Sequence, residues 1–184
     1  MQSHPRPRYR SVEALADSSM NIETINRALA DVRRELEEFG FYTPKVQATD
    51  VFLYACLPLC PGVDGLYWRE KRQIWIPRWN LPGLLGKPRC TVREVLRHEF
   101  GHVLFARHNR AFTKLRFAKR FKASNQCGRC EDCRITAYAR TTPEEDFCET
   151  FAEFLKRKGR KPRPCCRVLR DKWRFIRELS WGMR

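Results

Sequence analysis

The run His98-Glu99-Phe100-Gly101-His102 holds the residue types and spacing from which chemistry can be read most directly. On a helix, residues four apart lie one turn apart on the same face, so the imidazoles of His98 and His102 can reach a single ion. Glu99 projects beside that ion and can accept a proton from a water held there. Zinc makes such a water acidic and polarises a carbonyl, while a carboxylate in the place of Glu99 moves protons from water to a leaving amine. The expected chemistry is therefore hydrolysis of a peptide bond at one catalytic Zn2+, with Glu99 as general base. With four histidines in the chain, the pattern would arise by accident on the order of once in a few hundred such sequences.

A catalytic zinc takes a third protein ligand, and two routes offer one. His108 stands where the last histidine of H-E-x-x-H-x-x-G-x-x-H would stand, but the glycine that swings the chain back to the metal is here Phe105. The methionine turn that accompanies that motif has no counterpart, Met183 being the one methionine downstream. On a continuing helix His108 points away from the ligand face and reads as a solvated residue of the last turn. The second route is an acid, because Glu145 and Glu149 are four apart and share a helix face. Both also have an ordinary role: Thr142-x-x-Glu145 is a capping box, and Glu149 suits a helix surface.

The elements that must position these residues follow from periodicity. Ile22, Ile25, Leu29, Val32, Leu36 and Phe39 predict a helix over 21–39, with Asn21 as N-cap and Gly40 as its stop. Pro44 breaks the pattern and Val51–Ala55 reads as a buried strand. Leu66–Arg69 and Gln73–Pro77 form the two strands of a hairpin, and Ile74-Trp75-Ile76 serves equally as a substrate-binding edge or a core strand. Thr91-Val-Arg-Glu94 is a capping box opening the helix that carries His98 and His102. The stretch 112–122 reads as helical. Thr142 and Pro143 open another helix that stops near Gly159, and a last helix is expected over 168–180. Residues 1–18 form a disordered basic tail, 19–160 the domain proper, and 161–184 a basic linker and helix.

Cys127-Gly-Arg-Cys130-Glu-Asp-Cys133 places three thiols at chelating spacing in a polar loop. The cluster suits a second, structural Zn2+, with the fourth ligand drawn from Cys148, Cys165, Cys166 or the Cys56/Cys60 pair. Free or redox-active thiols and an iron–sulfur cluster are the other readings, the last without its usual Cys-Pro. Cys90 reads as a small buried residue. The nine cysteines are an odd number, and the basic, proline-containing first ten residues lead into no apolar run, so a cytoplasmic setting is expected. No stretch approaches the roughly 18 apolar residues a membrane span needs, and no membrane partner is expected.

Lys and Arg number 37 against 21 Asp and Glu, a net charge of +16 that favours polyanions. The charge is concentrated in 107–122, with seven basic residues and no acidic one, and in 156–184, with twelve basic residues against Asp171 and Glu178. Nucleic acid or another polyanion is accordingly a candidate partner through these two segments, although Phe117, Phe121, Leu169, Trp173 and Ile176 are spaced for core packing.

The segment from Ala137 to Ala152, which reads Ala-Tyr-Ala-Arg-Thr-Thr-Pro-Glu-Glu-Asp-Phe-Cys-Glu-Thr-Phe-Ala, resembles the second signature of gluzincin-type zinc metallopeptidases. That group includes anthrax lethal factor and small bacterial zinc peptidases. Its pattern is approximately Tyr-Ala, a few residues including Pro or Asn, then Glu-Asp-Phe-Ala-Glu-x-Phe-Ala. Matched position by position, the resemblance implies Glu145 as third zinc ligand, Tyr138 as the oxyanion-stabilising hydroxyl and Glu149 as the acid that orients a ligand histidine. Cys148 departs from the usual alanine, one small residue for another. The two signatures cover about a third of the chain. They imply an α+β, zincin-like fold, with a small antiparallel or mixed sheet packed on the active-site helix and further helices around it. The expectation is a zinc-dependent metallopeptidase acting on a protein or peptide. A different class remains as the alternative: a zinc-stabilised nucleic-acid-binding protein whose protease core is vestigial or works on DNA-associated substrates.

Overall fold

The computed structural model describes residues 22–54, 65–77, 91–108, 117, 120–121, 134–163 and 166–183. Helix α1 (Ile22–Glu38) buries Ile25, Ala28, Val32 and Leu36, a stripe at three- and four-residue spacing. It ends in a Schellman motif: Gly40, at φ 74°, donates to Glu37 O, and Phe41 N donates to Leu36 O. Pro44 interrupts the helical pattern but does not end helical structure, as the sequence suggests it should. It opens a four-residue helix α2 (Pro44–Gln47), taking the first position, where the missing N–H is no loss.

Three strands follow: β1 (Asp50–Tyr54), β2 (Leu66–Trp68) and β3 (Gln73–Pro77). Their order is β1-β3-β2, with β1 parallel and β2 antiparallel to β3. The sheet is thus mixed, and with the surrounding helices the described fold is α+β. Strand β3 lies in the centre, so Ile74-Trp75-Ile76 is not an edge; among the described residues the edges are β1 and β2. Ile74, Ile76 and Tyr67 face the core, while Leu66, Trp68 and Phe52 are exposed on the other side.

Helix α3 (Val92–Arg107) opens with the expected capping box, Thr91 Oγ1 accepting from Glu94 N and Glu94 accepting from Thr91 N. Its inner face buries Leu96, Phe100, Val103 and Leu104. Two ion pairs brace it against α1: Arg97 makes a bidentate contact with Glu35, and Arg93 pairs with Asp31. Helix α4 (Pro143–Lys156) crosses α3, and Lys156 reaches Glu94 at 2.6 Å. Helix α5 (Arg167–Met183) packs Leu169, Trp173, Phe175 and Ile176 into the same core as α3 and α4, so the C-terminal segment is continuous with the domain's core. Among the described residues no helix is long and apolar enough to cross a membrane.

Candidate metal centre

Helix α3 presents His98 and His102 on one face because they are four residues apart, and α4 brings its first turn across that face. The crossing is tight at Gly101, where an added Cβ would stand 3.0 Å from Cys148 Cα and 3.1 Å from its Sγ. The glycine inside the motif thus lets the second helix close in. Thr142 caps α4 by accepting from Glu145 N at 3.1 Å, as a capping box requires. The Glu145 side chain, however, turns to the histidines instead of back to the cap.

Three donor atoms converge. His98 Nε2 and His102 Nε2 are 3.2 Å apart, and Glu145 Oε2 lies 3.1 Å from the first and 3.5 Å from the second. Two ligands of a tetrahedral zinc, each ~2.0–2.1 Å from it, stand about 3.3–3.4 Å apart, so the triangle has the size of one tetrahedral face. His98, His102 and Glu145 are the one potential metal cluster among the described residues. Glu145 Oε2 is sealed from solvent and has no aligned hydrogen-bond donor. A buried carboxylate oxygen aimed at two imidazole nitrogens with no proton well placed between them fits a cation.

The outer nitrogens are held as well. His102 Nδ1 lies 2.8 Å from Glu144 Oε1, and His98 Nδ1 lies 2.7 Å from Glu149 Oε1 with poorer alignment. A carboxylate on Nδ1 keeps the proton there and presents the Nε2 lone pair inward. Glu149 thus lies against the outer nitrogen of His98. Glu144 does the same for His102, and sequence reasoning missed it. An acid in the first turn of a helix ordinarily complements the helix dipole, so nothing in the sequence separates Glu144 from that role. Arg69, just after β2, grips Glu144 through both carboxylate oxygens at 2.8 and 3.1 Å.

Electrostatics follow from this packing. Burial lowers the pKa of His98, but the pairing with Glu145 and Glu149 and the charge of Glu99 outweigh it and lift it to about 9. His102 is raised further: burial opposes the shift, and Cys148, Glu144 and Glu145 override it. Glu145 is desolvated, yet the two imidazoles hold its pKa down at about 2.

Glu99 is buried beneath the site at 5% exposure. Burial pushes its pKa up, the two histidines pull it back, and the Tyr67 backbone N–H donates to it from β2. Gly65 leaves room for it, since a Cβ there would lie 2.6 Å from Val95 Cγ1 and 2.9 Å from Glu99 Oε1. Tyr138 opens a single 3-10 turn (Tyr138–Arg140) and sits at the rim, its ring 6.0 Å from that of His98. Burial and the nearby Glu145 carboxylate, which it hydrogen-bonds, raise its pKa and keep the hydroxyl protonated.

His108 is not part of the cluster; it ends α3 with Nε2 3.2 Å from Thr43 Oγ1. Cys127, Cys130 and Cys133 lie outside the described residues, as do Cys56, Cys60, Cys90, Cys165 and most of 107–122. Cys148 is a buried free thiol against Gly101, and Cys166 Sγ accepts from Leu169 N at the start of α5. Comparison with known proteins finds no match: no family model, no curated protein and no solved structure matches this chain.

Proposed function

We propose that the protein is a zinc-dependent peptide-bond hydrolase of zincin-like fold, with His98, His102 and Glu145 as metal ligands. The observation that carries this reading is the convergence of His98 Nε2, His102 Nε2 and Glu145 Oε2 on one point. A zinc ion there supplies a Lewis acid that polarises a carbonyl and makes water acidic near neutral pH. Glu99 supplies the base. Its burial raises its proton affinity toward the working range, so its carboxylate can take a proton from water and deliver it to the departing nitrogen. Tyr138, protonated and at the rim, donates a hydrogen bond to the developing oxyanion. Glu144 and Glu149 hold the two imidazoles in the ligand tautomer. Strand β2, an edge beside α3, is the natural track for an extended substrate, in place of β3.

The buried free thiol of Cys148 suits a reducing, cytoplasmic setting. A structural zinc on Cys127, Cys130 and Cys133 is the companion reading of the cysteine cluster. Metal analysis combined with digestion of casein or a peptide library tests both. Wild type should carry one zinc at the histidine site, or two with the cysteine site filled. Glu99→Gln should keep the zinc and lose cleavage, and Glu145→Ala should lose that zinc. Retained cleavage by Glu99→Gln would overturn the mechanism, and zinc-free wild-type protein would overturn the site.

A further inference from the structure

The excess positive charge takes no part in the zinc site, and in the folded chain it has a shape. The corner where α4 turns into α5 encloses a cleft of about 1040 Å³ lined by Arg157, Lys158, Arg160, Lys161, Arg163 and Arg177. No carboxylate lines it. Arg157 pairs with Glu153, and Arg177 donates to Gly159 O. Lys158, Arg160, Lys161 and Arg163 form no ion pair among the described residues. Lys158 occupies, at φ 51°, the left-handed position that usually takes glycine, at a cost of about 1 kcal/mol.

Lys161 joins this cleft to a second one along α5, lined by Arg167, Arg170, Asp171 and Arg174. Together with Arg177 these arginines recur at spacings of three, four and three, which puts them on one exposed helix face. Like charges at such spacings destabilise a helix by about 0.2–0.5 kcal/mol per pair. The one acid interleaved is Asp171, 3.7 Å from Arg174. The outer face of α1 shows the ordinary alternative, alternating Glu23, Arg27, Asp31, Arg34 and Glu38.

We infer that the α4–α5 corner and the arginine face of α5 form a binding track for the phosphodiester backbone of nucleic acid. The ten residue steps from Arg167 to Arg177 span about 15 Å at 1.5 Å per residue. One strand of a duplex carries a phosphate every ~3.4 Å of axis, so the track covers about four phosphates. Guanidinium forks suit phosphate oxygens better than ammonium groups do. A lipid surface fits less well, because Leu169, Trp173, Ile176 and Leu179 of α5 are buried in the core, which among the described residues leaves Trp181 as the one large exposed apolar side chain of the helix for insertion. The contacts go to backbone phosphates, so binding is independent of sequence.

Fluorescence anisotropy of the full chain with a labelled duplex of about 20 base pairs, between about 50 and 200 mM salt, tests this. The log–log salt slope should be about −4 for the duplex and about −3 for the single strand. Arg170→Gln with Arg174→Gln should flatten the duplex slope by about 2. Arg27→Gln with Lys45→Gln removes the same charge from exposed positions elsewhere and should leave the slope unchanged. Equal flattening in both double variants, a slope near zero, or tighter binding to phosphatidylserine vesicles than to DNA would overturn the proposal. None of these readouts involves peptide cleavage or zinc, so the proposal fails or stands apart from the hydrolase reading.

Discussion

Replacing Glu144 probes the part of the centre that sequence reasoning did not reach. Its Oε1 is 2.8 Å from His102 Nδ1, and both its oxygens are held by Arg69. Removing a carboxylate that orients a ligand histidine typically weakens metal binding 10–100-fold, or about 1.4–2.7 kcal/mol. Glu144→Gln keeps an oxygen that can accept from Nδ1–H and loses the charge, so it belongs at the lower end, near tenfold. Glu144→Ala also loses the acceptor and frees the ring to turn, so it belongs near a hundredfold. The Arg69 side chain is 55% exposed and stays hydrated when its partner goes, so Arg69→Gln should cost less than about 1 kcal/mol. Zinc affinity is measured by competition against a chromophoric chelator, with circular dichroism to confirm the fold. Wild-type affinity in Glu144→Ala, beside a clear loss in Glu149→Ala, would refute the claim that Glu144 holds His102.

Two further outcomes follow from buried charge. Lys172 and Asp146 are both fully buried, with Nζ 2.8 and 2.6 Å from the carboxylate oxygens, and they lock α5 to α4 one residue from Glu145. Lys172→Met should destabilise the protein by about 3–5 kcal/mol in urea denaturation, and adding Asp146→Leu should recover most of it; an unaffected single variant would contradict that account. The second outcome concerns pH. In the metal-free protein the pKa of His98 is raised from 6.5 to about 9, so its contribution to stability is fully present below about pH 6.5 and is lost as pH rises through about 9. Zinc must displace that proton, so its affinity should climb with pH over the same window. Thermal melts from pH 6.5 to 9 should show the metal-free midpoint falling while the zinc-induced increment grows; a constant increment would contradict proton displacement at His98.

Much of the local structure was legible because it depends on neighbours in the chain. The Thr91–Glu94 box, the Gly40 stop and the Thr142–Pro143 start are all contacts within five residues, and each appears where its residue types require. Pro44 was legible only in part, since a proline that ends one helix and one that begins the next look alike until the following turn is seen. The shared face of His98 and His102 is a matter of helical period alone. Glu145 was ambiguous between cap partner and ligand because both roles use the same first-turn position.

The sequence by itself determined the helical pairing of the histidines, the acid placed beside them, the order of the strands and of the long helices, and the sign and clustering of the charge. Tertiary structure decided which acids face which imidazole nitrogens, because that depends on α4 crossing α3 at Gly101, a contact between residues 47 positions apart. It also decided that β3 is central, since strand order comes from pairing partners and not from the strand's own pattern. The arginines of α5 became a continuous track only once the turn at Lys158 and Gly159 laid the basic corner beside the helix. Local periodicity shows which face a side chain takes; only the packing of separate helices brings two such faces together.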